Sequence, residues 1–168
     1  MIEKFLKRIA QSLDKEKIPY MVIGGQAVLL YGTPRLTRDI DIALGVDTDQ
    51  FSLLEKICKR LKVKILPPHP EGFAKRTKVL PAEESKIKIR VDFIFSSTPY
   101  ERQAMTRVKK VKVEGYPVKF ASPEDVIIHK LFAGRPIDLE DVKNILIKWG
   151  TKIDKRYIKK WLSAFEKH

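Results

Sequence analysis

Asp39 and Asp41 stand two residues apart in the alternating run Asp39-Ile40-Asp41-Ile42. On a β-strand both carboxylates project from one face, while Ile40, Ile42 and Leu44 project from the other into a core. Two acids on one strand face repel each other. They are tolerated if solvated, or if a divalent cation lies between them; Mg²⁺ typically takes one or two carboxylates plus substrate phosphates. Upstream, the apolar run Tyr20-Met21-Val22-Ile23 stops at Gly24-Gly25, as a buried strand would. Glycines let the backbone approach a ligand closely. Residues 26 to 31 suit a short helix whose first N–H groups point at whatever the glycines admit, and a helix N-terminus favours phosphate. Phosphates there, with a metal at the two aspartates, would make a nucleoside triphosphate site.

Other residues could join this chemistry. Asp92 lies in the alternating run from Ile87 to Phe95. There Ile87, Ile89, Val91, Phe93 and Phe95 share one face and Lys88, Arg90 and Asp92 the other. Asp92 is either a site carboxylate or one half of a surface ion pair with Lys88 or Arg90. Arg35, Thr37 and Arg38 line the loop before Asp39, where a polyphosphate would attract them; otherwise they are solvated loop residues. Lys130 sits mid-helix among Val126, Ile127, Leu131 and Ala133, so it needs an anionic partner or a route to water. That partner is a triphosphate or Asp138, and Asp138 is itself well placed to cap the next helix.

The pieces Gly24-Gly25 and Asp39-Ile40-Asp41-Ile42 resemble the signature of the DNA polymerase β-like nucleotidyltransferase superfamily. Many members carry Ser at the second glycine position, where its hydroxyl helps hold a phosphate; Gly25 offers only its N–H. The Gly-Gly form looks more like the AbiEii-type branch, associated with toxin–antitoxin systems. A second stretch supports that likeness: Pro123-Glu124-Asp125, Lys130-Leu131, Ala133, Arg135 and Asp138-Leu139-Glu140-Asp141. The resemblance implies a Mg²⁺-dependent nucleotidyltransferase. Asp39, Asp41 and Asp92 would hold metal, and Asp92 would also activate the acceptor hydroxyl. Gly24, Gly25, Arg35, Thr37, Arg38 and Asp138 would bind nucleotide, and Lys130 would join the catalytic set. The acceptor it implies is RNA, such as tRNA, or a protein, with a cognate antitoxin protein as a further partner. A small-molecule, antibiotic-type acceptor and a non-catalytic nucleotide- or RNA-binding module are the alternatives. The presence of all three carboxylates counts against the last.

The chain has 168 residues, enough for a real core, and a formal net charge of +13 from 34 basic and 21 acidic residues. Such an excess fits a polyanionic partner, or a lysine-rich solvated surface. The single cysteine, Cys58, excludes an intrachain disulfide and lies on an apolar helical face. Three scattered histidines give no zinc spacing. No stretch reads as a signal peptide or a membrane span, which points to the cytoplasm.

The elements expected around these residues are an amphipathic helix over 2–16, the strand at 20–23, and the strand carrying the aspartates. A helix capped at Thr48-Asp49 then runs to Leu61. A short strand over 63–66, a loop over 67–72 and strands over 73–80 and 87–95 follow. A hairpin turns at Glu114-Gly115-Tyr116-Pro117. Ser122 and Pro123 open a helix that ends at Gly134. Asp138 caps the next, with Leu139, Val142, Ile145, Leu146 and Trp149 inward. A last helix from Asp154 puts Tyr157, Ile158, Trp161, Leu162 and Phe165 on one side and Lys155, Arg156, Lys159 and Lys160 on the other. The expected fold class is α+β, a nucleotidyltransferase-like mixed sheet with flanking helices. Residues 1–121 would form the core, and 122–168 a short C-terminal helical segment packed on it.

Overall fold

A computed structural model describes residues 1–33 and 37–166. The chain runs α1 (Ile2–Lys15), β1 (Tyr20–Ile23), α2 (Gly24–Tyr31), β2 (Asp39–Leu44) and α3 (Phe51–Leu61). Then come β3 (Lys64–Ile65), α4 (Pro70–Thr77), β4 (Val79–Glu84), β5 (Ile89–Phe95) and α5 (Pro99–Met105). β6 (Lys109–Val113), β7 (Tyr116–Phe120), α6 (Pro123–Ala133), α7 (Pro136–Trp149) and α8 (Lys155–Glu166) complete it. Seven strands form one mixed sheet in the order β3-β4-β5-β2-β1-β7-β6. β2 is central, antiparallel to β1 and parallel to β5. This is the expected α+β class.

The alternation in β2 and β5 does what its period requires. Ile40, Ile42 and Leu44 are fully buried, as are Val91 and Phe93. Residues of opposite parity, Asp39, Asp41 and Asp92, keep some exposure. α1 buries Phe5, Leu6, Ile9 and Leu13 and packs on α3 and the β6–β7 hairpin. Cys58 is buried within α3. β6 is an edge strand with Lys109, Lys110 and Lys112 exposed.

After β7 the regular elements among the described residues are all helices. Ser122 caps α6 by accepting from the Asp125 N–H at 3.1 Å, and Pro123 takes its first turn. Gly134 ends it at φ +68°, a left-handed conformation that glycine adopts without penalty. Asp125 is fully buried and accepts three hydroxyl hydrogen bonds: from Ser122 at 2.7 Å, Tyr100 at 2.7 Å and Tyr157 at 2.6 Å. Burial first, and then the Asp125 carboxylate, drive both phenols well above their ordinary range. Arg107 pairs with Glu124 at 2.9 Å and lies over the Tyr157 ring. One carboxylate thus fastens α5 and α8 to α6.

Several expectations are corrected. Residues 73–80 are not a strand: Pro70 at the first helical position and Glu71 in the first turn start α4, and the strand begins only at Val79. Lys88 lies in the turn before β5 at φ +54°, so it does not share the strand face of Asp92. Asp47, not Thr48-Asp49, caps the turn before α3, accepting from the Thr48 N–H at 2.6 Å. Asp138 does not precede its helix. It is the third residue of α7 and its carboxylate reaches back to the Arg135 N–H at 3.1 Å. Leu139 and Leu146 point outward, because the inner face of α7 is taken by Asp138, Asp141, Val142 and Ile145.

Candidate active site

The first wall of the site is the junction of β1 and α2. Ile23 is extended, then Gly24 turns the chain at φ +66° into α2. A Cβ at Gly24 would lie 2.2 Å from Asp41 Oδ2, and one at Gly25 would lie 2.8 Å from Thr37 Oγ1. The missing side chains are therefore what let Asp41 and Thr37 press against the helix start. The N-cap residue Ile23 has no side-chain acceptor to cap this helix, so its start can offer N–H groups to another acceptor. Thr37 Oγ1 brings to Gly25 a hydroxyl of the kind that a serine there would supply. Gly24→Ala is expected to destabilise the fold by about 1–3 kcal/mol through the positive φ alone. It should also displace the Asp41 carboxylate. Urea denaturation checks the first effect, and an unchanged midpoint would contradict the geometry.

The second wall is the β2–β5 pair. Its parallel register sets Asp41 beside Asp92 and Asp39 beside Arg90. Asp41 is half-buried. Burial, then the neighbouring charges of Asp92 and Asp39, push its carboxyl up to about 6, against the pull of Lys130 and Arg90. Asp92 Oδ1 accepts from Arg90 Nε at 3.0 Å, the ion pair that the strand alternation offered as the alternative to a site role. The structure thus places Asp92 both beside Asp41 and under Arg90. Arg38 turns away to donate to the Ile87 carbonyl at 3.1 Å, and Arg35 lies outside the described residues.

Among the described residues no three His, Cys, Asp or Glu side chains are gathered closely enough to cage an ion. The donor set nevertheless suits Mg²⁺. It is all carboxylate oxygen, and the charges of Asp92 and Asp39 raise the demand of Asp41 for a positive partner.

The third wall comes from the helical segment. Lys130, only 7% exposed, holds Asp138 at 3.1 Å and Asp141 at 3.2 Å. Arg135 clamps Asp138 with Nε at 2.7 Å and a second guanidinium nitrogen at 3.1 Å. These hydrogen bonds, Arg135 foremost, bring the Asp138 carboxyl down to about 2. Lys130 also lies near enough to Asp41 to lower its pKa. Asp141 entered the sequence reading only as the end of the stretch Asp138-Leu139-Glu140-Asp141 and was given no role; its signal was an acid three residues after Asp138, on the same helix face.

No curated protein matches the chain by sequence. Among solved structures, the antibiotic-resistance factor ANT(2'')-Ia is similar at 16% identity and a TM-score of 0.65, covering 98% of this chain and 91% of that one. The lincosamide antibiotic adenylyltransferase LnuA, lincomycin-bound, is similar at 18% identity and a TM-score of 0.58, covering 84% and 94%. A nucleotidyltransferase-like protein from Paracoccidioides brasiliensis is similar at 18% identity and a TM-score of 0.60, covering 86% and 74%. These likenesses are of fold. The model of the nucleotidyl transferase AbiEii toxin of type IV toxin–antitoxin systems matches residues 4–144. With that match over most of its length, the chain belongs to the AbiEii nucleotidyl transferase toxin family.

Proposed function

We propose that this nucleotidyltransferase uses a Mg²⁺-bound nucleoside triphosphate and transfers its nucleoside monophosphate to a hydroxyl of RNA, with tRNA the leading candidate. The single observation that carries the reading is the register of β2 and β5, which sets Asp41 beside Asp92 against the open helix start at Gly24. Gly24, Gly25 and Thr37 hold the phosphates. Asp39, Asp41 and Asp92 would hold the metal, which when bound neutralises charge on the phosphates. Asp92 takes the proton of the acceptor hydroxyl. The acceptor oxygen bonds to the α-phosphorus, the bond from that phosphorus to the bridging oxygen breaks, and pyrophosphate leaves. At rest Arg90 balances the charge of Asp92. An arriving triphosphate competes for that guanidinium and frees the carboxylate. Lys130 and Asp138 support the site from the helical side. Most of the rate gain would be positioning and charge stabilisation.

The net charge of +13 favours a polyanionic acceptor. A small hydroxyl compound is the second reading, favoured by the fold likeness to ANT(2'')-Ia, whose complex holds adenylyl-2''-tobramycin. The family's place in type IV toxin–antitoxin systems supports a cognate antitoxin as a partner, and a protein is the remaining acceptor reading. No helix among the described residues is long and apolar enough to cross a membrane, and a nucleoside triphosphate with an RNA acceptor supports a cytoplasmic site of action. The test is incubation with α-labelled triphosphates and total RNA, the protein itself, or an aminoglycoside. Label on RNA is expected; label only on protein or on the aminoglycoside replaces the acceptor. Asp92→Asn should keep triphosphate binding and lose about 10²–10⁴-fold in single-turnover transfer. Unchanged transfer would leave Asp92 as the partner of Arg90 only, and no transfer by the parent to any acceptor would leave a binding module.

A further inference from the structure

Among the described residues seven large apolar side chains are exposed, and five of them lie on α6 and α7: Phe132, Ile137, Leu139, Leu146 and Ile147. Leu139, Leu146 and Ile147 are spaced by seven and eight along α7, so they share one side of it. That side borders a groove of about 250 Å³ whose lining includes Leu131, Val142, Leu146 and Ile158 together with Lys155 and Lys159. No side chain of the lining can hydrogen-bond except the two lysines. The groove is smaller than the about 300–1,000 Å³ of a small-molecule site and lacks the placed polar groups that orient a ligand. It suits one or two inserted aliphatic side chains. Clustered apolar exposure of this kind marks a docking surface.

The lysines say what docks. Lys155 and Lys159 are one helical turn apart on α8, both exposed, and neither pairs with a carboxylate among the described residues. Lys143 stands on the same side of α7 as Leu139 and Ile147, and it is exposed too. An apolar slot edged by unpaired cations fits an amphipathic helix with carboxylates beside its apolar stripe. A second copy of this chain is a poor fit, since it would bring lysines against lysines on a molecule already carrying +13. We infer that the α6–α7–α8 groove is the docking site for an acidic amphipathic helix of a partner protein. The site lies on the outer side of the helices whose inner side holds Lys130, Asp138 and Asp141.

The probe is a labelled stapled helix of about four turns with leucines along one side and glutamates beside them. One control replaces the glutamates by lysines, and another replaces the leucines by glutamines. Fluorescence anisotropy should show the acidic peptide binding and both controls failing, with amide shifts in the protein confined to residues around Leu131, Leu146 and Ile158. The double variant Lys155→Glu with Lys159→Glu, both at exposed positions, should weaken the acidic peptide about tenfold and leave the Tm unchanged. Equal binding of the lysine-edged peptide, or binding unaffected by the double variant, would overturn the inference. So would self-association in sedimentation that Leu139→Glu abolishes, because a second copy would then be the occupant. None of these readouts depends on nucleotide transfer.

Discussion

Asp41→Asn should lose nucleotide transfer by about 10²–10⁴-fold and at the same time make the folded protein more stable at pH 7. The two effects have one source. Asp41 is held in a buried place beside Asp92 and Asp39, so its carboxyl is pushed up from 3.8 to about 6. A carboxyl whose folded pKa lies above its unfolded one binds its proton more tightly when folded. Its contribution to stability is whole below about pH 4 and is lost as the pH climbs through 6. A shift of this size is worth roughly 3 kcal/mol by pH 7. The asparagine variant carries no charge and escapes that loss. Urea denaturation of parent and variant at pH 4, 5, 6 and 7 should show the parent falling across the interval and the variant following a flatter course. Added Mg²⁺ and triphosphate should reduce the parent's fall, because a bound cation relieves the same repulsion. Identical pH profiles for the two proteins would show that Asp41 carries no such burden.

Lys130→Ala should cost about 3–5 kcal/mol, the usual consequence of stripping one partner from a buried ion pair. Asp138 and Asp141 would then lose the buried ammonium that bridges them, and the exposed Arg135 guanidinium, which hydrogen-bonds Asp138 and acts on Asp141 through its charge, would not replace it. The informative companion is the triple variant Lys130→Met, Asp138→Asn, Asp141→Asn. It removes every charge of the buried group and should recover most of the stability. Transfer should not recover, because the ammonium that also faces Asp41 is gone. Denaturant midpoints and single-turnover rates on the parent, the single and the triple variant decide it. A stable triple variant with full transfer would reduce Lys130 to a structural neutraliser.

The site was most legible where two periodicities met. Gly24-Gly25 after an apolar run, then acids alternating with isoleucines, needed nothing beyond local sequence. The parity of Ile89, Val91, Phe93 and Phe95 likewise put Asp92 on the correct face. The register that sets it beside Asp41 is a long-range pairing that no local pattern encodes. The helices after β7 were legible by their ends, Ser122-Pro123 and Gly134, but not by their faces. α7 buries acids and exposes leucines, and the reason is a lysine on another helix. A hydrophobicity pattern reads this backwards, because Asp138 looks like a cap and Asp141 like a wet surface. Residues 73–80 misled for a different reason: Phe73, Val79 and Leu80 gave strand-like content, while Pro70 had already begun a helix. α5 was missed although its signal was present. Thr98 accepts from the Glu101 N–H at 3.1 Å in the stretch Thr98-Pro99-Tyr100-Glu101, but seven residues are too few to show a period.

The lysines of β6 change how the charge of this molecule is to be understood. An outermost strand has a row of unmatched amides and carbonyls, a template onto which a neighbouring chain can add. Here that row carries Lys109, Lys110 and Lys112 pointing into solvent. Another molecule approaching edge to edge would have to bring its own ammonium groups into theirs. At the opposite flank β3 is only two residues long and offers almost nothing to extend. The sheet is therefore closed to growth at both sides, by repulsion at one and by brevity at the other. Part of the basic excess thus keeps copies of the protein apart, and that part would be needed whatever the enzyme modifies.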